Sequence, residues 1–153
     1  MRELAKTGQD CSNCAGTCCT AIANSMHIDR NQALHIKNHL IEKDLWNAQL
    51  LDKLKLNITH YRLDKPSLGD GRRTFIRRTY TCPFFANRNL GCELPASIKP
   101  LGCLAFNPKV PNQLEGGNCG TSNAELEKSG LKNTPDDLPI PVALVNLFDW
   151  KIK

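Results

Sequence analysis

No stretch of this sequence stays apolar for the roughly 18 residues that a membrane-spanning helix requires. The longest greasy run, residues 140–150, is broken by Pro141, Asn146 and Asp149. A secretion signal is also missing from the opening residues. Residues 1–8 hold no apolar core, and Cys11 follows almost at once. A cytoplasmic chain with no membrane partner is therefore expected. Nucleotide chemistry lacks its motif, because Gly69-Asp70-Gly71 is not followed by the Lys-Ser/Thr of a phosphate-binding loop. No Ser nucleophile elbow is present. Neither an internal repeat nor a low-complexity run divides the chain. Its 153 residues, 41% of them hydrophobic, suit one domain with a modest core, spanning residues 1–153. The net charge of +5 permits an anionic partner without demanding one.

What the chain has in excess is cysteine, with eight in all. In a reducing compartment such thiols do not persist as structural disulfides. An even count also fits a disulfide framework, but that reading wants a secretory context. The first group reads Cys11-Ser12-Asn13-Cys14-Ala15-Gly16-Thr17-Cys18-Cys19. Thiols so close can converge on one centre without a long-range fold. Small residues between them let the backbone wrap and turn its N–H groups toward sulfur. The second group is spread out, as Cys82-Pro83, Gly91-Cys92, Gly102-Cys103 and Cys119-Gly120. Each of these has a Pro or Gly beside it, as a ligand on a sharp turn needs.

Metal ligation is the chemistry this pattern serves, and all eight cysteines are candidate ligands. Zinc suits four thiolates at such spacing, and so does an iron–sulfur cluster. The adjacent Cys18-Cys19 pair complicates a simple four-cysteine zinc site, because neighbouring side chains diverge. A larger cluster, two metal ions, or one non-ligating thiol would each accommodate the pair.

The run Cys11-x2-Cys14-x3-Cys18-Cys19 resembles the signature of the YkgJ-type cysteine-cluster family. Cys82-Pro83-Phe84-Phe85, Gly91-Cys92, Lys99-Pro100-Leu101-Gly102-Cys103 and Cys119 follow in that family's order, so the resemblance covers about residues 11–120. It implies chelation of zinc or iron and no settled activity. Lys99 stands where the family usually has Arg, Leu104 follows Cys103 where Arg is common, and the gap from Cys92 to Pro100 is one residue longer than usual. These departures leave the thiols in place and put in doubt any role of the family's arginines near the metal.

Around the thiols an α+β fold is expected, with two helices, a β-hairpin and a cysteine-rich irregular region stabilised by metal. Asp29 is the N-cap of a helix running to about Lys43, with Gln32 as its capping partner. Ala33, Leu34, Ile36, Leu40 and Ile41 share one face of it. A second helix covers residues 45–56, with Trp46, Leu50, Leu51 and Leu54 at helical spacing. Residues 57–63 and 74–80 alternate as the strands of a hairpin around Gly69-Asp70-Gly71. Residues 82–119 carry Pro83, Pro95, Pro100, Pro108 and Pro111, so long regular elements are not expected there. Ser122-Asn123-Ala124-Glu125 is a capping box, and Gly130 its helix stop. The tail, residues 134–153, is an element that packs on the core, or alternatively docks a partner.

Other features favour plainer readings. His35 and His39 have metal-binding spacing on a helix, but both project away from the apolar face. His60 shows no ligand pattern, and His27 is the outside candidate because it lies near the first cysteines. Arg72-Arg73-Thr74-Phe75-Ile76-Arg77-Arg78 could form an anion or nucleic-acid surface. Its arginines fall on both faces of a strand, so no one-sided stripe forms and nucleic acid is not the favoured partner. The expected function is a cytoplasmic zinc- or iron-chelating protein. An iron–sulfur or metal-dependent enzyme and a metal-stabilised nucleic-acid module are the alternatives, and the sequence leaves structural, carrier and catalytic roles open.

Overall fold

The computed structural model describes residues 16–65, 78–86, 91–104 and 136–148. The turn at Gly69-Asp70-Gly71, the strand residues 74–77, the basic residues from Arg72 to Arg77, the Ser122–Glu125 capping box with Gly130, and Cys11, Cys14 and Cys119 lie outside them.

Helix α1, Arg30–Glu42, begins at the expected signal. Asp29 Oδ1 accepts the Gln32 N–H at 2.7 Å, and Gln32 Nε2 returns a bond to Asp29 Oδ2 at 3.2 Å. Ala33, Ile36 and Leu40 are buried as the periodicity required. Ile41 is 47% exposed. At roughly 100° per residue it sits about 110° round from the middle of the buried stripe, which leaves it on the flank.

The end of α1 corrects the expected start of the next helix. Asp44 adopts φ 55°, which closes the helix as a glycine commonly would. The Leu45 N–H then bonds Leu40 C=O at 2.8 Å, and the Asp44 N–H bonds Ile41 C=O at 3.0 Å. Leu45 thus belongs to the closure of α1. Helix α2, Ala48–Tyr61, starts after Asn47, whose Oδ1 accepts the Leu50 N–H at 3.1 Å.

Helix α2 also overturns one expected strand. Residues 57–61 continue the helix, because Leu50, Leu54, Asn57, Ile58 and Tyr61 lie on one helical stripe and are buried or half-buried there. The apparent alternation around Ile58, Thr59 and Tyr61 was too short to outweigh that longer period. The helix stops at Arg62, at φ 52°, where the Leu63 N–H reaches Ile58 C=O at 3.0 Å. Tyr80, from the second expected strand, pairs instead with the N-terminal arm, its N–H bonding Asn24 C=O at 2.9 Å.

Strand pairing occurs elsewhere. Strand β1, His27–Ile28, pairs antiparallel with β2, Leu138–Pro139, with His27 opposite Pro139 and Ile28 opposite Leu138. The α+β class with an antiparallel pair therefore stands, with different strands from those expected. Between α2 and β2 the described backbone runs through turns and one short helix, α3, Leu101–Leu104. Residues 138–148 of the tail do pack on the core. Helix α4, Ile140–Phe148, follows β2 directly and lies against both α1 and α2.

The core gathers Ile28, Ile36, Leu40, Leu54, Phe84, Ile140, Leu144 and Leu147. At its edge the Trp46 and Phe148 rings stack with centroids 3.7 Å apart and planes 7° from parallel. Lys37 Nζ lies 5.4 Å from the centre of the Trp46 ring and donates to Leu147 C=O at 3.4 Å. That position favours a cation at the last turn of α4. Among the described residues no helix is long and apolar enough to cross a membrane.

Candidate metal centre

The N-terminal arm enters as a 3-10 turn, Thr17–Cys19, closed by the Cys19 N–H to Gly16 C=O at 2.8 Å. Gly16 holds φ 73°, and a Cβ there would run into the Phe85 ring. Glycine is therefore required both by the backbone conformation and by the close aromatic neighbour. The segment from Tyr80 to Cys82 then runs alongside the arm. The Cys82 N–H donates to Cys19 C=O at 2.7 Å, and the Ala21 N–H donates to Thr81 Oγ1 at 3.2 Å. Helix α2 grips the same segment, with Asn57 Nδ2 donating to Thr81 C=O at 2.9 Å and the Tyr61 hydroxyl donating to Thr81 Oγ1 at 2.9 Å.

Cys82-Pro83-Phe84-Phe85 is a tight turn, with the Phe85 N–H returning to Cys82 C=O at 3.0 Å. The chain comes back through Gly91, at φ 127°, and Phe85 forms an isolated antiparallel bridge with Cys92. The Glu93 N–H to Phe84 C=O bond, at 2.8 Å, fixes that return. Pro95 C=O then accepts from the Ile98 and Lys99 N–H groups at 2.9 and 3.2 Å, and the Cys103 N–H bonds Pro100 C=O at 2.9 Å. These turns deliver Cys103 on α3. Pro83 and Gly91 thus act as corners beside Cys82 and Cys92, whereas Gly102 lies with Cys103 inside α3 and Cys119-Gly120 falls outside the described residues.

The consequence is a meeting of the two sequence groups. Cys18 and Cys19 from the first group, and Cys82, Cys92 and Cys103 from the second, line one cavity of about 30 Å³. Met26, Leu94, Pro100 and Ile140 supply carbon and thioether surface, and Asn24 and Lys99 complete the wall. Both members of the adjacent pair reach the cavity despite their divergence. All five of these cysteines are thiols, with no disulfide among them. Burial pushes the Cys82 thiol far above its ordinary ionisation range, and the neighbouring Cys103 and Cys92 add to that push. Tyr80 is raised by burial first and by Cys82 and Cys103 in addition. Its hydroxyl donates to Met26 C=O and accepts the Ile140 N–H at 3.1 Å, which ties α4 to the cavity wall.

As a place for a metal, the donor set fits in kind: five thiols gathered on one cavity whose other walls are mainly carbon. Among the described residues no three His, Cys, Asp or Glu side chains are grouped closely enough to hold one ion as they stand. Cys11, Cys14 and Cys119 lie outside the described residues.

The histidines take no part in this cavity. His35 is exposed and contacts Ser97 C=O through Nε2 at 3.2 Å, and His60 stacks edge-on against Tyr61. His27 and Arg78, with Asp64, Lys65 and Asp137, line a second cleft of about 280 Å³ whose walls include no cysteine. Arg78 there shares the walls with two carboxylates, so the described end of the basic run faces mixed charge. Two residues of the thiol cavity, Asn24 and Lys99, were not singled out as site residues by the sequence reading. Asn24 lies five residues past Cys19 and carries no motif. Lys99 offered a signal, as a departure at a position next to Pro100. No protein-family model, curated protein or solved structure matches the chain.

Proposed function

We propose that this chain is a cytoplasmic metal-chelating protein in which both cysteine groups serve one buried all-sulfur centre for zinc or iron. The observation that carries the reading is the convergence of Cys18, Cys19, Cys82, Cys92 and Cys103 on a single cavity. Cysteines from segments 63 to 85 residues apart in sequence are thereby brought to one place, as a shared ligand would require. Cys11, Cys14 and Cys119 complete the candidate set. The ion would supply a fixed cross-link among turns that otherwise depend on isolated backbone hydrogen bonds. A structural or carrier role is favoured because the lining offers sulfur and carbon and no acid–base group other than Lys99 beside them. Reduced thiols in such number require a reducing compartment, which supports the cytoplasmic assignment.

Anaerobic purification followed by elemental analysis tests the proposal. One equivalent or more of zinc or iron per chain is expected. Less than one equivalent of any metal, with cysteines paired as disulfides by mass, would overturn it. A brown protein holding sulfide would keep chelation and replace the single ion by a cluster.

A further inference from the structure

Methionine is scarce in this chain, which has two, Met1 and Met26. Met26 stands in the wall of the thiol cavity. Its backbone is held there on both sides. The Met26 N–H donates to Asn24 Oδ1 at 3.1 Å, and the Tyr80 hydroxyl donates to Met26 C=O. Strand β1 follows at once, paired with β2. The far end of the side chain lies against α3. A Cβ on Gly102 would come within 2.7 Å of Met26 Sδ and 2.8 Å of its Cε. The thioether thus occupies the space that a side chain at position 102 would need, one residue before Cys103.

The ligating chemistry of the cavity is accordingly soft. Among the described residues its lining holds five thiols and this thioether, and no His, Asp or Glu. Zinc accepts thiolate, imidazole or carboxylate. Thiolate together with thioether selects Cu(I). A thioether also adds a donor without adding negative charge, an advantage in a space walled mainly by carbon. We propose that this centre also takes Cu(I), with Met26 Sδ as a neutral ligand beside cysteine thiolates. Each thiol that ligates gives its proton to solvent, and Met26 gives none. The copper enters and stays as Cu(I), so no electron is transferred.

The inference rests on the chelation reading, and the experiment separates the two. Cu(I), kept reduced by ascorbate in the absence of oxygen, is titrated into metal-free full-length protein against a coloured Cu(I) chelator. Zinc is titrated in parallel. Met26→Leu keeps the apolar volume and removes the thioether. It is expected to weaken Cu(I) binding by about tenfold or more and to leave zinc affinity in place. The Cu(I) loss should grow as pH falls, because thiols regain protons while a thioether has none to regain. Selenomethionine labelling reads the contact directly. X-ray absorption at the selenium edge should show copper beside selenium in the wild type. The signal should vanish in Met26→Leu, where Met1 carries the remaining selenium. A role confined to packing would weaken Cu(I) and zinc together, or shift the melting temperature of the metal-free protein with Cu(I) affinity unchanged. Either result, or selenium without a copper neighbour, overturns the inference while leaving chelation intact. A wild-type protein that takes up no metal at all sinks the chelation reading itself.

Discussion

Gly16 and Cys82 show how much rests on single residues around the thiols. Gly16 combines a left-handed backbone with contact against Phe85, so Gly16→Ala strains both. A loss of about 1–3 kcal/mol is expected in urea unfolding of the metal-free protein, together with weaker zinc uptake. Cys82 carries a pH signature. An exposed thiol in the unfolded chain ionises near pH 8.5, about where an ordinary cysteine does. Burial holds the folded Cys82 protonated well above that. Between those two points the folded state binds more protons than the unfolded state, so stability falls as pH rises. The contribution is complete below about pH 8.5 and declines by about 1.4 kcal/mol per pH unit above it. Denaturant unfolding of the metal-free protein from pH 7 to pH 10 should show the decline, and Cys82→Ala should flatten it. A wild-type slope equal to that of the variant would remove Cys82 as the cause.

At the scale of elements, α4 and the segment around Tyr80 join the helical core to the cysteine turns. Tyr80→Phe deletes the hydroxyl that serves both Met26 C=O and the Ile140 N–H. Two buried backbone groups then lose their match, at a cost of about 1–3 kcal/mol. Leu144, fully buried in the middle of α4, should cost about 2–5 kcal/mol on truncation to Ala. Calorimetry on both variants distinguishes them from Leu56→Ala, where a 74% exposed side chain should change little. The sequence made some of these elements legible and hid others for physical reasons. Asp29 and Gln32 announced α1 because a cap is a local hydrogen bond between neighbours in the chain. The corners at Cys82-Pro83 and Gly91-Cys92 were legible for the same reason. The pairing of His27 with Pro139 was not, since two-residue strands carry no period and their register comes from distant packing. Residues 57–61 misled because a few alternating apolar residues fit a strand locally, while the long stripe of α2 decides. The convergence of Cys19 with Cys82 comes from hydrogen bonds between distant segments, Cys82 N–H to Cys19 C=O, Tyr80 N–H to Asn24 C=O and Ala21 N–H to Thr81 Oγ1, for which spacing has no signal.

For the whole molecule, two parts with different supports emerge. Helices α1, α2 and α4 share a carbon core that Phe84 and Leu94 join, whereas the rest of the described segments 78–86 and 91–104 lies in turns and one short helix around the thiol cavity. On the chelation proposed above, removing metal with a strong chelator under reducing conditions should loosen the second part more than the first. Amide hydrogen exchange is expected to accelerate at the Cys82, Cys92 and Cys103 turns, with the buried amides of α1 and α2 still protected. Uniform acceleration across both would mean that the metal supports the entire fold.

Ile140 lines the thiol cavity, yet it is made long after the last cysteine, Cys119. During synthesis on the ribosome, Cys18, Cys19, Cys82, Cys92 and Cys103 are thus translated before the Ile140 side of the cavity they line. A growing chain meets cellular zinc, iron and oxidants with its full set of thiols and an unfinished cavity. On the proposed chelation, these five thiols stand without the Ile140 wall until α4 is made, and over that interval they are open both to loading and to damage.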